Sequence, residues 1–321
     1  MNYPWLVNIS VIVCVLLLAC RFAPAQTNDA QIDVNGLLNT AQQFAQENLD
    51  DDVLRALQNV DRDKVEDFLK HYQEYLNGDY VLDLAQLKDA STAVLPLLDA
   101  HKESQPYAAW LRSRLDYFDA AEQMKALAPA PKPEAGTNAV PAQNPSFKLE
   151  QEIWVRRVRP LAWPKDAAEF VLRLKSIFTD ERVPPELVWL AEVESGFKAG
   201  AESPAGALGM FQLMPATAKQ YGLSLWPFDE RVQAEPSARA AAKYLRQLYG
   251  QFGDWRLAVA AYNCGEGRVQ KSLSRYAAKS YERIATHLPA ETQMYVPKVE
   301  ATILKREGVE LEKLKIDPAK R

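Results

Sequence analysis

The sequence predicts an all-α, or mainly α, protein built from two helical modules. Apolar residues recur at helical spacing along most of the chain, for example at Val53, Leu57 and Val60. A strand would show strict alternation of apolar and polar residues, and no stretch of any length does so. Residues 128–146 are rich in proline and alanine. Because repeated prolines keep a chain extended, this run is predicted to be a linker between the modules.

The linker divides the chain into two parts of different charge. Residues 27–127 carry 9 Lys/Arg against 19 Asp/Glu, whereas residues 147–321 carry 27 against 22. We interpret the first part as a helical accessory domain and the second as the functional domain. The positive excess of the second part suits an anionic partner, but it is too small for a nucleic-acid surface. The sequence therefore predicts no nucleic-acid partner.

The first 25 residues are interpreted as an export signal. Residues 5–19 are almost wholly apolar, but the run is too short for a comfortable bilayer span. A small-residue cleavage site ending at Ala25 favours a signal peptide over residues 1–25. Alternatively, a lipoprotein box ending at Cys20 would remove residues 1–19 and attach the protein to the membrane through a lipid on that cysteine. An uncleaved anchor helix is the third alternative, and all three predict an exported, periplasmic protein.

Cysteine and histidine content argues against a metal centre. Cys264 is the only one of 3 cysteines outside the apolar N-terminal region, so no internal disulfide is available. The 3 histidines are scattered and lack the spacing of metal ligands. The sequence accordingly predicts neither a metal nor a cofactor.

Five helices are predicted within the second domain. Pro184-Pro185 opens one of them, because proline fits a first helical turn, and Gly196 ends it. The other four are predicted from periodicity over residues 166–178, 237–249, 255–262 and 297–305.

Glu194 is the candidate catalytic residue. Leu187, Leu190 and Ala191 share its helix face, so its carboxyl group is predicted to point into the domain while Glu192 points to solvent. Burial would raise the pKa of Glu194 and keep it protonated near neutral pH. Such an acid can give a proton to a leaving oxygen and later take one back. The alternative is a carboxylate that only caps or crosslinks a helix.

A loop of small residues follows this helix and is interpreted as one side of a ligand cleft. Ser203 and Gln212 could hydrogen-bond a carboxyl group or a sugar amide, and Gly206 and Gly209 let the backbone approach a ligand. The apolar wall of the cleft is predicted to consist of Met210, Phe211 and Met214. The alternative is an ordinary glycine-rich turn, with Ser195 only finishing the helix.

Four motifs, in order, carry a resemblance to a known family. Glu194-Ser195 resembles a catalytic E-S pair, and residues 209–212, GMFQ, resemble G-L-M-Q or G-L-W-Q. Residues 261–265, AYNCG, resemble A-Y-N-A-G, and residues 291–297, ETQMYVP, resemble E-T-x-x-Y-V. Over roughly residues 150–305 the sequence resembles the soluble lytic transglycosylase (SLT) family, in particular the membrane-bound lytic murein transglycosylase D branch. The resemblance implies a lysozyme-like catalytic domain over residues 147–321.

The resemblance also implies a role for each matching residue. Glu194 would be the single acid/base, Tyr295 would hydrogen-bond it, and Ser203 would orient it or contact the sugar. The other residues expected to bind substrate are Ser195, Gly209, Met210, Gln212, Met214, Tyr262 and Asn263. Two positions depart from the family pattern: Cys264 stands where the family has alanine, and Phe211 where it has methionine or tryptophan.

The activity implied by the resemblance is a lyase reaction on peptidoglycan glycan strands. The β-1,4 bond between N-acetylmuramic acid and N-acetylglucosamine would be cleaved, leaving a 1,6-anhydro end and requiring no cofactor. Most glycosidases use two carboxylates, and the candidates for a second one are Asp229, Glu230 and Asp254. The alternatives are a goose-type lysozyme-like hydrolase, which needs such a second carboxylate, a chitinase-like activity, and a non-catalytic glycan-binding protein.

Overall fold

The computed structural model describes residues 76–78, 80–89, 91–92, 95, 99, 105–127, 144–203 and 205–316. Within these residues every regular element is helical, and residues 202, 208 and 213 form only isolated bridges. The all-α prediction is confirmed. The predicted signal sequence, most of the predicted accessory domain and all but the last three residues of the predicted linker lie outside the described residues.

The α-helices of the described residues are numbered here in chain order. They are α1 (Gln105–Leu127), α2 (Phe147–Val158), α3 (Ala167–Asp180), α4 (Leu190–Ser195), α5 (Pro215–Gln220), α6 (Ala234–Phe252), α7 (Trp255–Cys264), α8 (Glu266–Arg275) and α9 (Ala290–Glu307). Short 3-10 helices cover Val81–Leu87, Pro185–Trp189, Glu230–Val232, Tyr281–Arg283, Ala285–His287 and Leu311–Lys313. Three of the predicted helices are confirmed by α3, α6 and α7. No helix in this described part is both long and apolar enough to cross a membrane.

The main hydrophobic core lies behind α4 and is formed by α3, α4, α6, α7 and one side of α9. Leu174, Leu190, Leu245, Ala258 and Tyr295, one from each of these helices, have no exposed surface. Burying a large apolar side chain stabilises a fold by about 1.5–3 kcal/mol. Because Leu190, Ala191 and Val193 of α4 belong to this core, it fixes the short helix that carries Glu194.

A second core joins the residues before the linker to the residues after it. It is formed by the 3-10 helix at Val81–Leu87, α1, α2 and the other side of α9. The rings of Tyr117 in α1 and Trp154 in α2 meet edge to face at 5.7 Å, and Met294 of α9 is buried in the same cluster. The described part of residues 76–127 therefore packs directly on the second domain.

Helix α9 begins at Ala290, so the predicted start at Pro297 is wrong. A proline inside a helix removes a backbone donor and costs about 3 kcal/mol. Here every residue from 292 to 303 is buried, because α9 lies between the two cores. Burial of large side chains such as Tyr295 and Val299 outweighs the local cost of Pro297.

The helix predicted from Pro184-Pro185 to Gly196 is present in two pieces. A 3-10 helix covers Pro185–Trp189, and α4 follows and ends at Gly196, which has a φ of 63°. The side chains of Leu187, Val188 and Trp189 are all completely buried. Burial on every side removes the amphipathic pattern of an ordinary surface helix, so the spacing could not reveal the change of helix type.

The predicted exposure of Glu192 is also wrong. Its side chain is only 13% exposed and forms two contacts with the buried guanidinium of Arg306 on α9. Nε of Arg306 lies 2.9 Å from Oε2, and Nη2 lies 2.6 Å from Oε1. The cause is tertiary: α9 covers the side of α4 that the helical pattern assigned to solvent.

Candidate active site

Glu194 lies in the last turn of α4, with its side chain enclosed by protein. The residue is 3% exposed, and the Tyr295 hydroxyl donates a hydrogen bond of 2.7 Å to its Oε1. Burial raises the pKa of Glu194 above its ordinary value of 4.5, even though Arg114 and the hydrogen bond from Tyr295 act in the opposite direction. The carboxyl group thus has the environment that the sequence predicted, and its partner is the tyrosine that the family resemblance implies.

Arg114, on α1, is a neighbour of Glu194 that the sequence did not reveal. Its Nη1 donates to the backbone carbonyl of Glu194 at 3.2 Å, and its Nη2 lies 3.6 Å from Glu194 Oε2. Its Nε donates to Glu291 Oε1 at 3.1 Å. Arg114 lies in the segment that the sequence predicted to be a helical accessory domain. No local signal there indicates a contact with a residue 80 positions away.

Tyr262 is another tyrosine close enough to Glu194 to be affected by its charge. Burial, and then the charge of Glu194, hold the pKa of the Tyr262 hydroxyl well above 10. The hydroxyl therefore stays neutral, and it donates a 2.7 Å hydrogen bond to the carbonyl of Phe211. This bond ties α7 to the loop that follows α4.

The loop over residues 201–214 is organised by Arg231, another residue that the sequence did not single out. Arg231 Nη1 donates to the carbonyls of Gly206 at 2.7 Å and Leu213 at 2.9 Å. Its Nε and Nη2 are held by the carboxylate of Asp229 at 3.0 and 2.7 Å. A buried guanidinium therefore joins two carbonyls of the loop through charge-assisted hydrogen bonds.

Gly209 is required by this packing, which corrects its predicted role in ligand approach. Its φ is +88°, a region that other residues rarely adopt, and a Cβ here would lie 1.9 Å from the carbonyl oxygen of Arg231. The backbone that approaches Gly209 closely is that of the protein itself.

Gln212 has the strained backbone and the free acceptor expected of a binding residue. Its φ is +47°, and such conformations cluster at functional sites. The side-chain Nε2 donates to the carbonyls of Ala201 at 2.8 Å and Gly209 at 2.9 Å. Its Oε1 is buried and has no hydrogen-bond partner among the described residues. Gln212 can therefore accept a hydrogen bond from a ligand N–H or O–H group.

The hydroxyls of Ser195 and Ser203 are both used by the protein backbone. Ser195 Oγ donates to the carbonyl of Met210 at 2.9 Å and accepts from Lys198 N at 3.1 Å. Ser203 Oγ accepts from Ala207 N at 2.9 Å. The bonds of Ser195 join the loop to α4, and the bond of Ser203 closes the first turn of the loop. Both serines therefore shape the site in this structure.

Two of the three residues predicted to form an apolar wall lie in the core instead. Met210 is 1% exposed and Phe211 is fully buried, with its ring centre 5.7 Å from that of Phe178. The predicted wall is wrong for these two, and Phe211 cannot stack on a sugar while it is buried. Met214 is half-buried. The reversal arises because Met210, Phe211 and Leu213 belong to the main core, and Ser195 of α4 holds the Met210 carbonyl at 2.9 Å.

Asn263 and Cys264 lie at the end of α7, and both are half-buried. Asn263 Oδ1 accepts a 2.6 Å hydrogen bond from the Thr292 hydroxyl on α9. Thr292 is the neighbour of Glu291 in sequence. The third and fourth sequence motifs are thus joined side by side in the fold.

The three candidates for a second carboxylate are all engaged elsewhere. Asp229 binds Arg231, and Glu230 Oε2 accepts from the backbone N–H of Ser224 at 2.7 Å. Asp254 caps the start of α7 by accepting from Leu257 N at 2.9 Å. Among the residues that the structure describes, no three His, Cys, Asp or Glu side chains are grouped as a metal site.

Comparison with known proteins identifies the family of this chain. The family model for the Transglycosylase SLT domain matches residues 176–285. A "Putative tributyltin chloride resistance protein" of Alteromonas sp. (strain M-1) is 33% identical over 150 residues, which cover 46% of this chain and 69% of the relative. The chain belongs to the SLT transglycosylase family. The family assignment rests on sequence, and the SLT segment contains Glu194, the loop and Tyr262.

Two further proteins show how far the likeness extends. The "Membrane-bound lytic murein transglycosylase D" of Escherichia coli (strain K12) is 44% identical over 121 residues, covering 36% of this chain and 27% of that relative. This SLT-family chain therefore matches about a quarter of the length of that relative. The 70-kDa soluble lytic transglycosylase, solved in complex with bulgecin A, aligns with a TM-score of 0.41 at 17% identity over 94% of this chain and 67% of that one. Arg114, Glu291 and Tyr295 lie outside the segment that the SLT family model matches.

Proposed function

We propose that the protein is a peptidoglycan lytic transglycosylase. It cleaves the β-1,4 bond between N-acetylmuramic acid and N-acetylglucosamine and leaves a 1,6-anhydro-N-acetylmuramic acid end. The observation that carries the proposal is the state of Glu194, a buried carboxyl group with a raised pKa inside the segment matched by the SLT family model. Relatives named lytic murein transglycosylases support the choice of substrate.

Glu194 serves first as an acid and then as a base. Its proton goes to the oxygen that links the two sugars, and the bond from that oxygen to C1 of the muramoyl residue breaks. The N-acetyl group of the same residue stabilises the sugar cation. Glu194 then takes the proton from the C6 hydroxyl, whose oxygen forms a new bond to C1. No water is consumed, so the reaction is that of a lyase.

The partners of the other carboxylates support a mechanism that uses only Glu194. Hydrolytic enzymes with an inverting mechanism need a second carboxylate that is free to activate a water molecule. The charge of Glu291 helps to raise the pKa of Glu194, but the Glu291 carboxylate is ion-paired with Nε of Arg114 at 3.1 Å. Asp229, Glu230 and Asp254 hold backbone or side-chain groups of the protein. This arrangement favours assistance by the substrate over a hydrolytic mechanism.

We assign the substrate contacts to residues of the loop after α4 and of the end of α7. Gln212 Oε1 is the acceptor that we assign to an amide N–H of the glycan. Tyr262, Asn263 and the half-buried Met214 contact the sugars on either side of the scissile bond. Ser195, Ser203, Gly209 and Met210 act through the shape of the loop rather than through direct contact.

A cell-wall substrate requires an exported enzyme. We therefore retain the prediction of a signal peptide over residues 1–25, with a lipid on Cys20 as the alternative that would attach the protein to the membrane. The mass of the mature protein distinguishes the two. Cleavage after Ala25 gives an N-terminal glutamine, whereas the lipoprotein route gives a chain that begins at an acylated cysteine.

The activity is tested by digesting purified peptidoglycan with the full-length protein and identifying the products by mass spectrometry. Anhydro-muropeptides are expected from the wild type, and Glu194→Gln should lower their yield by at least about 100-fold, the usual contribution of a general acid. Glu235→Gln is the matched control, because Glu235 pairs with Arg173 at an exposed position, where its side chain is 54% exposed. Products with reducing ends would instead establish a hydrolase, and an active Glu194→Gln would remove Glu194 from the mechanism.

A further inference from the structure

Arg114 connects Glu194 to a helix that precedes the segment matched by the SLT family model. Its side chain is 5% exposed and belongs to α1, whereas the matched segment begins at residue 176. The guanidinium lies between the carboxyl groups of Glu194 and Glu291, which come from α4 and α9. Three helices therefore meet at this one cation.

Arg114 is held in place by several independent contacts. Its Nη1 donates to Ser113 Oγ at 2.7 Å, and its Nε donates to Glu291 at 3.1 Å. The guanidinium carbon lies 5.5 Å from the ring centre of Trp110 and 5.9 Å from that of Tyr117. A planar guanidinium fixed in this way is pre-organised to present its remaining donors in one direction. That direction is toward Glu194.

Arg114 makes two contacts with Glu194, and the two contacts have different effects. Nη1 donates to the backbone carbonyl at 3.2 Å, which is one of the carbonyls that a helix leaves unpaired in its last turn. Nη2 lies 3.6 Å from Oε2, the carboxyl oxygen that Tyr295 does not contact. The first contact fixes the end of α4, and the second places a positive charge beside the carboxyl group.

We propose that Arg114 is a positioning residue for Glu194, supplied by α1 to complete the site. The proposal rests on the proposed function, because it explains how one carboxyl group can act twice. Between the two proton transfers Glu194 is a carboxylate in a buried site, which is unfavourable without a compensating charge. Arg114 stabilises that carboxylate, while burial stabilises the acid that precedes it.

Arg114 is the cation placed to stabilise the Glu194 carboxylate. Charged or titratable groups that face Glu194 come from each of the neighbouring helices. They are Arg114 and Tyr117 on α1, Glu291 and Tyr295 on α9, and Tyr262 on α7. The tyrosines are neutral and Glu291 is negative. Lys298 of α9 is a second buried cation close to Arg114, but its Nζ donates to the carbonyl of Ser113 at 2.9 Å and pairs with Asp116 at 3.4 Å. Arg114 is therefore the cation that contacts the Glu194 carboxyl group.

The test replaces Arg114 in the full-length protein by glutamine and by lysine. Arg114→Gln removes the charge, so the alkaline limb of the profile of kcat/KM against pH should move to higher pH. We expect kcat to fall about tenfold as the carboxylate loses its partner, with KM changed little. Arg114→Lys keeps the charge, so its profile should stay close to that of the wild type.

Arg157→Gln is the control for a purely structural effect. Arg157 of α2 holds the same helix α1 through Asp116 at 3.5 Å and Asp119 at 3.3 Å. It has no contact with Glu194 in the structure, so this variant should loosen α1 without moving the pH profile. If Arg157→Gln and Arg114→Gln behave alike, Arg114 is a packing residue and the proposal is wrong. A rise in activity in Arg114→Gln would also overturn it, since α1 would then be inhibitory.

A measurement without substrate separates this proposal from the proposed function. In protein labelled with ¹³C at the glutamate carboxyl carbon, the Glu194 signal is assigned by its loss in Glu194→Gln. Its titration should shift to higher pH in Arg114→Gln, whether or not the wild type cleaves peptidoglycan. An unshifted titration would overturn the role of Arg114, whereas an inactive wild type would overturn only the proposed function.

Discussion

The hydroxyl of Tyr295 and the carboxyl group of Glu194 are joined by a 2.7 Å hydrogen bond across 101 positions of the chain. Both residues are buried, and Tyr295 belongs to the helix that lies between the two hydrophobic cores. A helix enclosed on both sides has little freedom to move. The hydrogen bond therefore holds Oε1 in a fixed direction and leaves Oε2 on the side of Arg114.

Replacing Tyr295 by phenylalanine tests this relationship. Loss of the donor removes a hydrogen bond that favours the charged form, so the pKa of Glu194 should rise further. We expect a fall of roughly 10- to 100-fold in kcat and a loss of about 1–3 kcal/mol in the free energy of unfolding, measured by chemical denaturation. Tyr281→Phe is the matched control, because the buried Tyr281 hydroxyl has no hydrogen-bond partner among the described residues. Equal losses in both variants would contradict a specific role for Tyr295.

The raised pKa of Glu194 predicts a stability difference that depends on pH. Above the ordinary value of 4.5 the unfolded chain has released this proton, while the native state keeps it up to its own higher pKa. The native state binds more protons in this window, so stability falls as pH rises through it. The free energy of unfolding of the wild type minus that of Glu194→Gln should therefore decrease from pH 4.5 upward and level off above the native pKa. A difference that rises with pH would mean that the pKa is lowered instead.

Gly209→Ala should destabilise the protein severely. The positive φ alone costs a non-glycine residue about 1–2 kcal/mol, and the new Cβ would also lie 1.9 Å from the carbonyl of Arg231. We expect a total loss of more than about 3 kcal/mol in the free energy of unfolding. Gly222→Ala is the control, because Gly222 has a φ of +92° with nothing within 4 Å of the added Cβ. The difference in the free energy of unfolding between the two variants measures the cost of the contact between the new Cβ and the Arg231 carbonyl. Equal losses in the two variants would show that Arg231 does not approach Gly209 closely.

Glu150→Met should stabilise the protein at neutral pH. Glu150 of α2 is 1% exposed, and its Oε1 has no hydrogen-bond partner among the described residues. Burial alone raises its pKa well above 4.5, which marks the site as unfavourable for a charge. Replacing it by an apolar residue of similar length should add about 1–3 kcal/mol to the free energy of unfolding. Glu152→Met, at a side chain that is 49% exposed, should change it by less than about 0.5 kcal/mol. A destabilised Glu150→Met would mean that the carboxyl group has a partner.

The sequence predicted the parts of the site that depend on local pattern. Glu194 was assigned from its position at the end of an apolar helix face, and burial of that face is observed. Gly196 ends the helix in the left-handed conformation, as glycine commonly does. These predictions succeeded because helical periodicity and chain termination are decided by residues a few positions apart.

The wrong predictions share one cause, which is packing by distant parts of the chain. Glu192 was assigned to solvent, yet Arg306 of α9 covers it. Met210 and Phe211 were assigned to a cleft wall, yet the loop turns them into the core. In each case the local pattern was correct but did not include the element that packs against it.

The sequence by itself determined the helical class and the family, and it singled out Glu194, the residue that we propose as the acid/base, because these depend on spacing and on short motifs. The family resemblance implied the hydrogen bond from Tyr295, but only the tertiary structure decided how deeply the Glu194 carboxyl group is buried and which charge lies beside it. Tyr295 comes from 101 positions downstream and Arg114 from 80 positions upstream. Electrostatic interactions depend on distance in space, and burial of apolar surface decides which helices meet. The charge state of Glu194 is therefore a property of the packed molecule.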